Sequence, residues 1–290
     1  MNSNTIIGVD LGGTKIHSGL IVGGDVLEES KVPTPQNATQ EEVLEAIVTA
    51  INNVLNDEVE GIGIGLPGVM DLEEGVIINT VNIPSLNGLK ITEYLTSVFE
   101  VPVFINNDAN CFVIGEKYFG HGKEYSDIVA MTLGTGLGGA VVVNNRLYSG
   151  KNVAAGEICA IKYKEHDLEH YCSSQFFKKE YNTTGLDLYN KAKEGDAEAL
   201  RIFKEYGNNL GEAIYTLILV YDPQLIVIGG SIAGGNEFFV DGIHEVLKTF
   251  PVQEQIKKLK IAFSNEPKAA VLGAGALVYD GKEEGFNIKH

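Results

Sequence analysis

Val101-Pro102-Val103-Phe104-Ile105-Asn106-Asn107-Asp108-Ala109-Asn110 is an apolar run that stops abruptly in polar residues. It reads as a buried strand ending near Asn106, with a helix over Ala109 to Tyr118 behind it, which makes the chain α/β at this point. Ligands of open α/β sheets gather beyond the carboxyl ends of strands. A carboxylate at Asp108 is therefore placed to take a proton from a bound hydroxyl. Asn or Asp before a helix is also a good N-cap, and this stretch alone leaves both readings open.

Upstream, Thr5 to Val9, Ile16 to Val22 and Val26 to Val32 read as three strands, with Asp10-Leu11-Gly12-Gly13-Thr14-Lys15 turning the first into the second. Gly23-Gly24-Asp25 is a hairpin turn. Glu41 to Leu55 sets Val43, Leu44, Ile47, Ala50, Ile51 and Val54 at helical spacing. Gly61 to Leu66 is a short buried strand and Ile91 to Phe99 a second helix, so Asp108 ends the last strand of a strand-strand-strand-helix-strand-helix-strand lobe.

Downstream a similar order begins again. Asp127 to Leu133, Leu137 to Val143 and Arg146 to Tyr148 read as strands, and helices follow near Ser174 to Glu180, Leu186 to Lys193 and Ala197 to Tyr221. Leu225 to Ile228 and Lys258 to Phe263 are further strands. Helices near Phe238 to Phe250 and Ala269 to Tyr279 complete the pattern, and the tail beyond reads as frayed. The halves repeat in architecture, each opening on a glycine-hinged strand pair. This predicts two α/β domains, 1–108 with about 269–290, and 109–268, facing one cleft.

The chain has 290 residues, with 22 Lys plus Arg against 39 Asp plus Glu and a formal charge of -17. That balance argues against nucleic-acid or anionic-membrane partners. Met1 to Thr5 lacks a signal-peptide pattern, and the apolar Ile128 to Val143 is broken by glycines, so a cytoplasmic protein is expected. Cys111, Cys159 and Cys172 are odd in number and suggest no disulfide framework.

Two glycine turns, each holding a Thr after a strand, suit a phosphate: Gly12-Gly13-Thr14 beside Lys15, and Gly134-Thr135-Gly136. Glycine lets the backbone approach and its N–H groups point at the anion. Either alone is equally a plain hairpin turn. The P-loop and Rossmann patterns are absent. Gly229-Gly230-Ser231 ends a buried strand and admits either an adenine ring or close strand-to-helix packing.

Five segments in order resemble the ROK family of sugar kinases: Asp10 to Lys15, Gly65-Leu66-Pro67-Gly68-Val69, Asn106 to Asn110, Leu133 to Gly139 and Gly156-Glu157-Ile158. The resemblance runs to about Tyr279. It implies the two-lobed actin-like ATPase (ribonuclease H-like) fold with the active site in the interdomain cleft, and ATP-dependent phosphorylation of a hexose, glucose first. By resemblance, Asp10, Gly12, Gly13, Thr14, Lys15, Gly134, Thr135 and Gly136 hold ATP phosphates, while Gly229 and Gly230 border the adenosine; Mg²⁺ is expected with the phosphates, with Asp10 reaching it through water. Asn107, Glu157, Glu169 and Gly68 line the sugar, and Asp108 is the catalytic base. A homo-oligomer is also implied.

The chain departs from the family after Glu157. Ile158 is followed by Cys159-Ala160 where most members have Gly-His, and the cysteines of the family's structural zinc are missing. Cys159, His166, His170 and Cys172 are chemically suited to zinc but match no zinc spacing, so no metal ligands are assigned. Sugar identity is what the departure unsettles. A sugar-binding pseudokinase or a sugar sensor without a DNA-binding domain is the alternative.

Overall fold

The computed structural model describes residues 4–80, 82–151 and 153–283. They form two compact units. One holds the described residues up to Lys123, Arg146–Ala155 and those from Glu266 on; the other holds Glu124–Asn145 and Gly156–Asn265.

The first unit opens with β1 (Thr5–Leu11), β2 (Lys15–Val22) and β3 (Asp25–Pro33), an antiparallel meander. Gly23 and Gly24 turn β2 into β3 with φ of 62° and 99°, the left-handed backbone that a two-residue hairpin demands. Helix α1 (Gln40–Asn52) begins at a capping box of Thr39 and Glu42 and buries Val43, Leu44, Ile47, Ala50 and Ile51. β4 (Val59–Gly65) lies parallel to β1. A small hairpin, β5 (Val69–Asp71) and β6 (Val76–Asn79), follows; nothing in the sequence pattern announced it. Then come α2 (Ile91–Phe99), β7 (Val103–Asn106) parallel to β4, and α3 (Asp108–Tyr118). The sheet order is β3-β2-β1-β4-β7.

The second sheet is built the same way. β8 (Ile128–Leu133) pairs antiparallel with β9 (Leu137–Val143), and Asn144-Asn145, both at positive φ, turn into β10 (Arg146–Leu147). A two-residue hairpin of β11 (Lys162–Tyr163) and β12 (His166–Asp167) leads into the short α4 (Leu168–Cys172). Helices α5 (Ser174–Tyr181), α6 (Gly185–Lys193) and α7 (Ala197–Tyr221) pack their apolar faces around Phe176, Phe177, Phe203 and Tyr206. β13 (Leu225–Gly229) is parallel to β8. A 3₁₀ turn and α8 (Val240–Leu247) follow, then α9 (Gln253–Lys258) and β14 (Lys260–Phe263) parallel to β13. The order is β10-β9-β8-β13-β14. The duplication extends to register, since Asp10 at the end of β1 pairs with Gly65 of β4 as Thr132 of β8 pairs with Gly229 of β13.

Helix α10 (Ala269–Glu283) returns to the first unit and runs past Tyr279; the rest of the tail lies outside the described residues. Helix α3 also packs in the first unit, although the sequence suggested a change of domain at Asp108. The reason is local: a methyl on Gly115 of α3 would sit 2.8 Å from the Gly273 Cα of α10, so the two helices meet backbone to backbone. Among the described residues no helix is long and apolar enough to cross a membrane.

Candidate active site

In the first unit, β1 and β2 are joined through Gly12-Gly13-Thr14, closed by the Gly12 amide donating to the Lys15 carbonyl at 3.0 Å. Thr34 Oγ1 donates to the Gly12 carbonyl at 2.7 Å and Gln36 Nε2 to that of Gly13 at 2.5 Å, which pins the turn from behind. Thr14 and Lys15 are exposed. A methyl on Gly13 would fall 2.9 Å from Asn82 Cβ, so this glycine is set by a close neighbour as well as by the turn.

Asp10 sits opposite His17 in the β1–β2 ladder. Burial pushes its carboxyl above the ordinary value; His17 and Lys15 pull the other way, and the charge of Asp108 adds to the rise. A group whose folded pKa is raised costs stability above that pKa and nothing once it is protonated in both states. Asp10→Asn should therefore stabilise the ligand-free protein at pH 7 by about 0.5–2 kcal/mol, as removal of a strained functional group often does. Its advantage in thermal melts should shrink as pH falls; a lower melting temperature at pH 7 would contradict this.

Asn106, Asn107 and Asn110 form one network at the β7–α3 junction, around the position of Asp108 in the chain. Asn106 Oδ1 accepts from the Asn107 amide at 2.9 Å and from Asn110 Nδ2 at 2.8 Å. Asn107 Oδ1 accepts from the Asn110 amide at 2.7 Å and is the N-cap of α3. The cap role weighed for this stretch thus belongs to Asn107, which leaves its Nδ2 group to donate elsewhere. Asp108 is exposed in the first turn, its Oδ1 accepting from the Ala109 amide at 2.9 Å. Gly68, at φ 132°, enters β5 where a methyl would lie 2.3 Å from the Asn79 carbonyl, so the backbone alone requires glycine there.

In the second unit, the turn from β8 to β9 is closed by the Gly134 amide donating to the Gly136 carbonyl at 3.0 Å, with Thr135 exposed at its tip. The glycine pair at the end of β13, Gly229-Gly230, lies against it. Gly230, at φ 91°, would put a methyl 2.4 Å from the Leu133 carbonyl, so its close neighbour is the backbone at the end of β8 rather than a helix. Ser231 Oγ comes 3.9 Å from the position a methyl on Gly134 would take, which puts an unforeseen hydroxyl beside this turn.

Glu157 follows Gly156, whose φ of 90° and tight approach to Gly139 fix the chain against β9. The Cys159 thiol donates to Glu157 Oε2 at 3.4 Å; burial first, then the Glu157 carboxylate, pushes the thiol up to about 11, so it stays protonated. Glu169 lies on α4, with Oε1 accepting from Gln175 Nε2 at 3.0 Å and Oε2 from the Leu137 amide at 3.3 Å. Sequence reasoning missed Gln175 and Ser231, because each acts on a segment distant in the chain.

The four residues weighed as zinc ligands do other work. The His166 and His170 rings stack at 4.0 Å, His170 Nε2 bonds Glu180 Oε1 at 2.6 Å, and Cys172 is buried in the core. Among the described residues no group of three or more His, Cys, Asp or Glu is gathered as for a metal.

Comparison with known proteins agrees with this architecture. The chain is 28% identical to a glucokinase of Thermotoga maritima, covering 94% of this chain and 96% of that one. It is 26% identical to a xylose repressor of Caldicellulosiruptor bescii, covering 94% of this chain and 78% of the repressor. The crystal structure of a ROK family glucokinase from Streptomyces griseus in complex with glucose and AMPPNP superposes with a TM-score of 0.75 at 26% identity, covering 94% and 98% of the two chains. The fold is the actin-like ATPase fold of the ROK sugar kinases. With the family's sequence model matching residues 6–281, the chain belongs to the ROK family.

Proposed function

We propose that this chain is an ATP-dependent sugar kinase that transfers the γ-phosphate to a hydroxyl of a hexose, glucose first, with mannose, fructose and N-acylated hexosamines behind it. The observation that carries the reading is the exposed Asp108 carboxylate just beyond β7, its Oδ1 held by the Ala109 amide, in the same unit as the Asp10 to Lys15 turn. The similarity to a glucokinase solved with glucose and AMPPNP supports it.

Phosphoryl transfer asks a protein mainly for position and charge. In this reading the turns at Gly12 to Lys15 and Gly134 to Gly136 hold the phosphates, and Gly229-Gly230 borders the adenosine. Asn107, through Nδ2, and Glu157 and Glu169, through their carboxylates, orient the sugar, with Gly68 lining it. Asp108 accepts the proton of the attacking hydroxyl. Lys15 supplies local positive charge in a protein of net charge -17.

Magnesium brought with ATP fits Asp10, whose partly buried carboxylate is only partly offset by His17 and Lys15. Bound there, the ion would neutralise phosphate charge.

A binding-only reading is favoured by one observation: the family's histidine after Glu157 is replaced, and the Cys159 thiol occupies Glu157 instead. ADP release measured across the sugar panel separates the two. Stimulation by at least one hexose is expected; sugar binding by calorimetry without turnover on any sugar would favour the sensor.

A further inference from the structure

In the second unit, the proposed sugar ligand Glu169 touches the turn assigned to phosphate. Its Oε2 takes the Leu137 amide at 3.3 Å, and a methyl on Gly136 would lie 2.6 Å from that same oxygen. Its Oε1 is held by Gln175 Nε2 at 3.0 Å. Ser174, the neighbour of Gln175, grips the turn as well, its amide donating to the Gly134 carbonyl at 2.9 Å and its Oγ to that of Thr135 at 3.4 Å. α4 itself is fixed: the Asp167 carboxylate caps it, His170 ties it to Glu180, and Tyr206 OH donates to the Cys172 carbonyl at 2.8 Å.

The consequence is electrostatic. Both hydrogen-bond donors to Glu169 are neutral groups, so a full negative charge rests on the turn and occupies one of its amides. A phosphate arriving there meets a like charge and a donor already taken. A sugar hydroxyl donating to Glu169 would compete with the Leu137 amide for the carboxylate and disperse its charge.

We propose that Glu169, positioned by Gln175, is a brake on the 134–137 turn that sugar binding releases, so that nucleotide binds well only after sugar. The inference rests on the kinase reading above. It adds that Gln175 is a positioning residue and that Glu169 acts on nucleotide affinity even when no sugar is present. The device would limit idle hydrolysis of ATP by water.

The test is calorimetric titration of the full chain with Mg²⁺-AMPPNP, with and without saturating glucose or whichever sugar best stimulates turnover. The wild-type protein should bind AMPPNP about 5–150-fold tighter with sugar, the usual span of coupling between two sites. Glu169→Gln should tighten sugar-free AMPPNP binding by a similar factor and abolish the gain from sugar. Gln175→Leu should shrink the ratio toward one with little change in melting temperature, which a merely structural role would not do.

If the wild type phosphorylates a sugar but Glu169→Gln leaves sugar-free affinity unchanged or weaker, the brake is wrong and the kinase reading stands. If the wild type binds no AMPPNP under either condition and no sugar stimulates ADP release, the kinase reading fails and takes the brake with it.

Discussion

Asp108→Asn should abolish turnover while leaving the sugar bound. A general base contributes about 10²–10⁴ in rate, and kcat and kcat/KM should fall together by that factor because the proton is taken only on the way to the transition state. The fold should not suffer. The cap of α3 is Asn107, whose bond to the Asn110 amide the substitution does not touch, and the carboxamide oxygen of the variant could still accept from the Ala109 amide. Loss of a first-turn acid costs a helix only about 0.3–1 kcal/mol. Against that loss, removing the Asp108 charge relieves Asp10, whose carboxyl that charge helps to push up. ADP release, equilibrium sugar binding and a thermal melt on one preparation check all three statements. Near-normal kcat would take Asp108 out of the base role; a large fall in melting temperature would make it a structural residue instead.

The sheets were legible because their strands are β-rich runs punctuated by glycine turns, and the shared order of the two halves could be read before any register was known. The elements that escaped are those whose pattern is too short to show a period. β5 and β6 hold three and four residues and α4 five, whereas the helix expected near Phe238 to Phe250 is present as α8. At the site, residue types in sequence order pointed to the two turns and to Asp108. What sequence could not reach was pairing at a distance: Glu169 meets the Leu137 amide from 32 residues away, and nothing local in either segment encodes that bond. The glycines show the same limit. Gly68 and Gly230 are each required by positive φ and a close backbone neighbour that the sequence alone does not show.

Gly63→Ala should be among the most destabilising single-methyl changes in the chain. Gly63 lies in Gly61-Ile62-Gly63-Ile64-Gly65 of β4, where alternation sends Ile62 and Ile64 into the core with none of their surface exposed and turns the glycines toward α10. Across the sheet Gly63 pairs with Gly8 of β1, and Gly8 with Gly19 of β2, a row without side chains on which α10 rests. A methyl at 63 would sit 1.8 Å from the Ala274 carbonyl oxygen, and one at 8 would sit 2.0 Å from that of Val271. No rotamer relieves a clash with backbone, so the helix must lift and uncover Val271, Leu277 and Val278. Overpacking typically costs about 1–3 kcal/mol, and a contact with an immovable carbonyl belongs at or above the top of that range. For a chain of this size the melting temperature should fall by roughly 5–10 °C. Gly234→Ala is the control, since a methyl there meets nothing within 4 Å, and it should change stability by no more than about 0.5 kcal/mol. Activity should fall with Gly63→Ala as well, because β4 is the partner of β7 and the Leu66 amide donates to the Asn106 carbonyl at 3.1 Å, two residues before Asp108. Equal melting temperatures for the two variants would show that α10 does not depend on the glycine row.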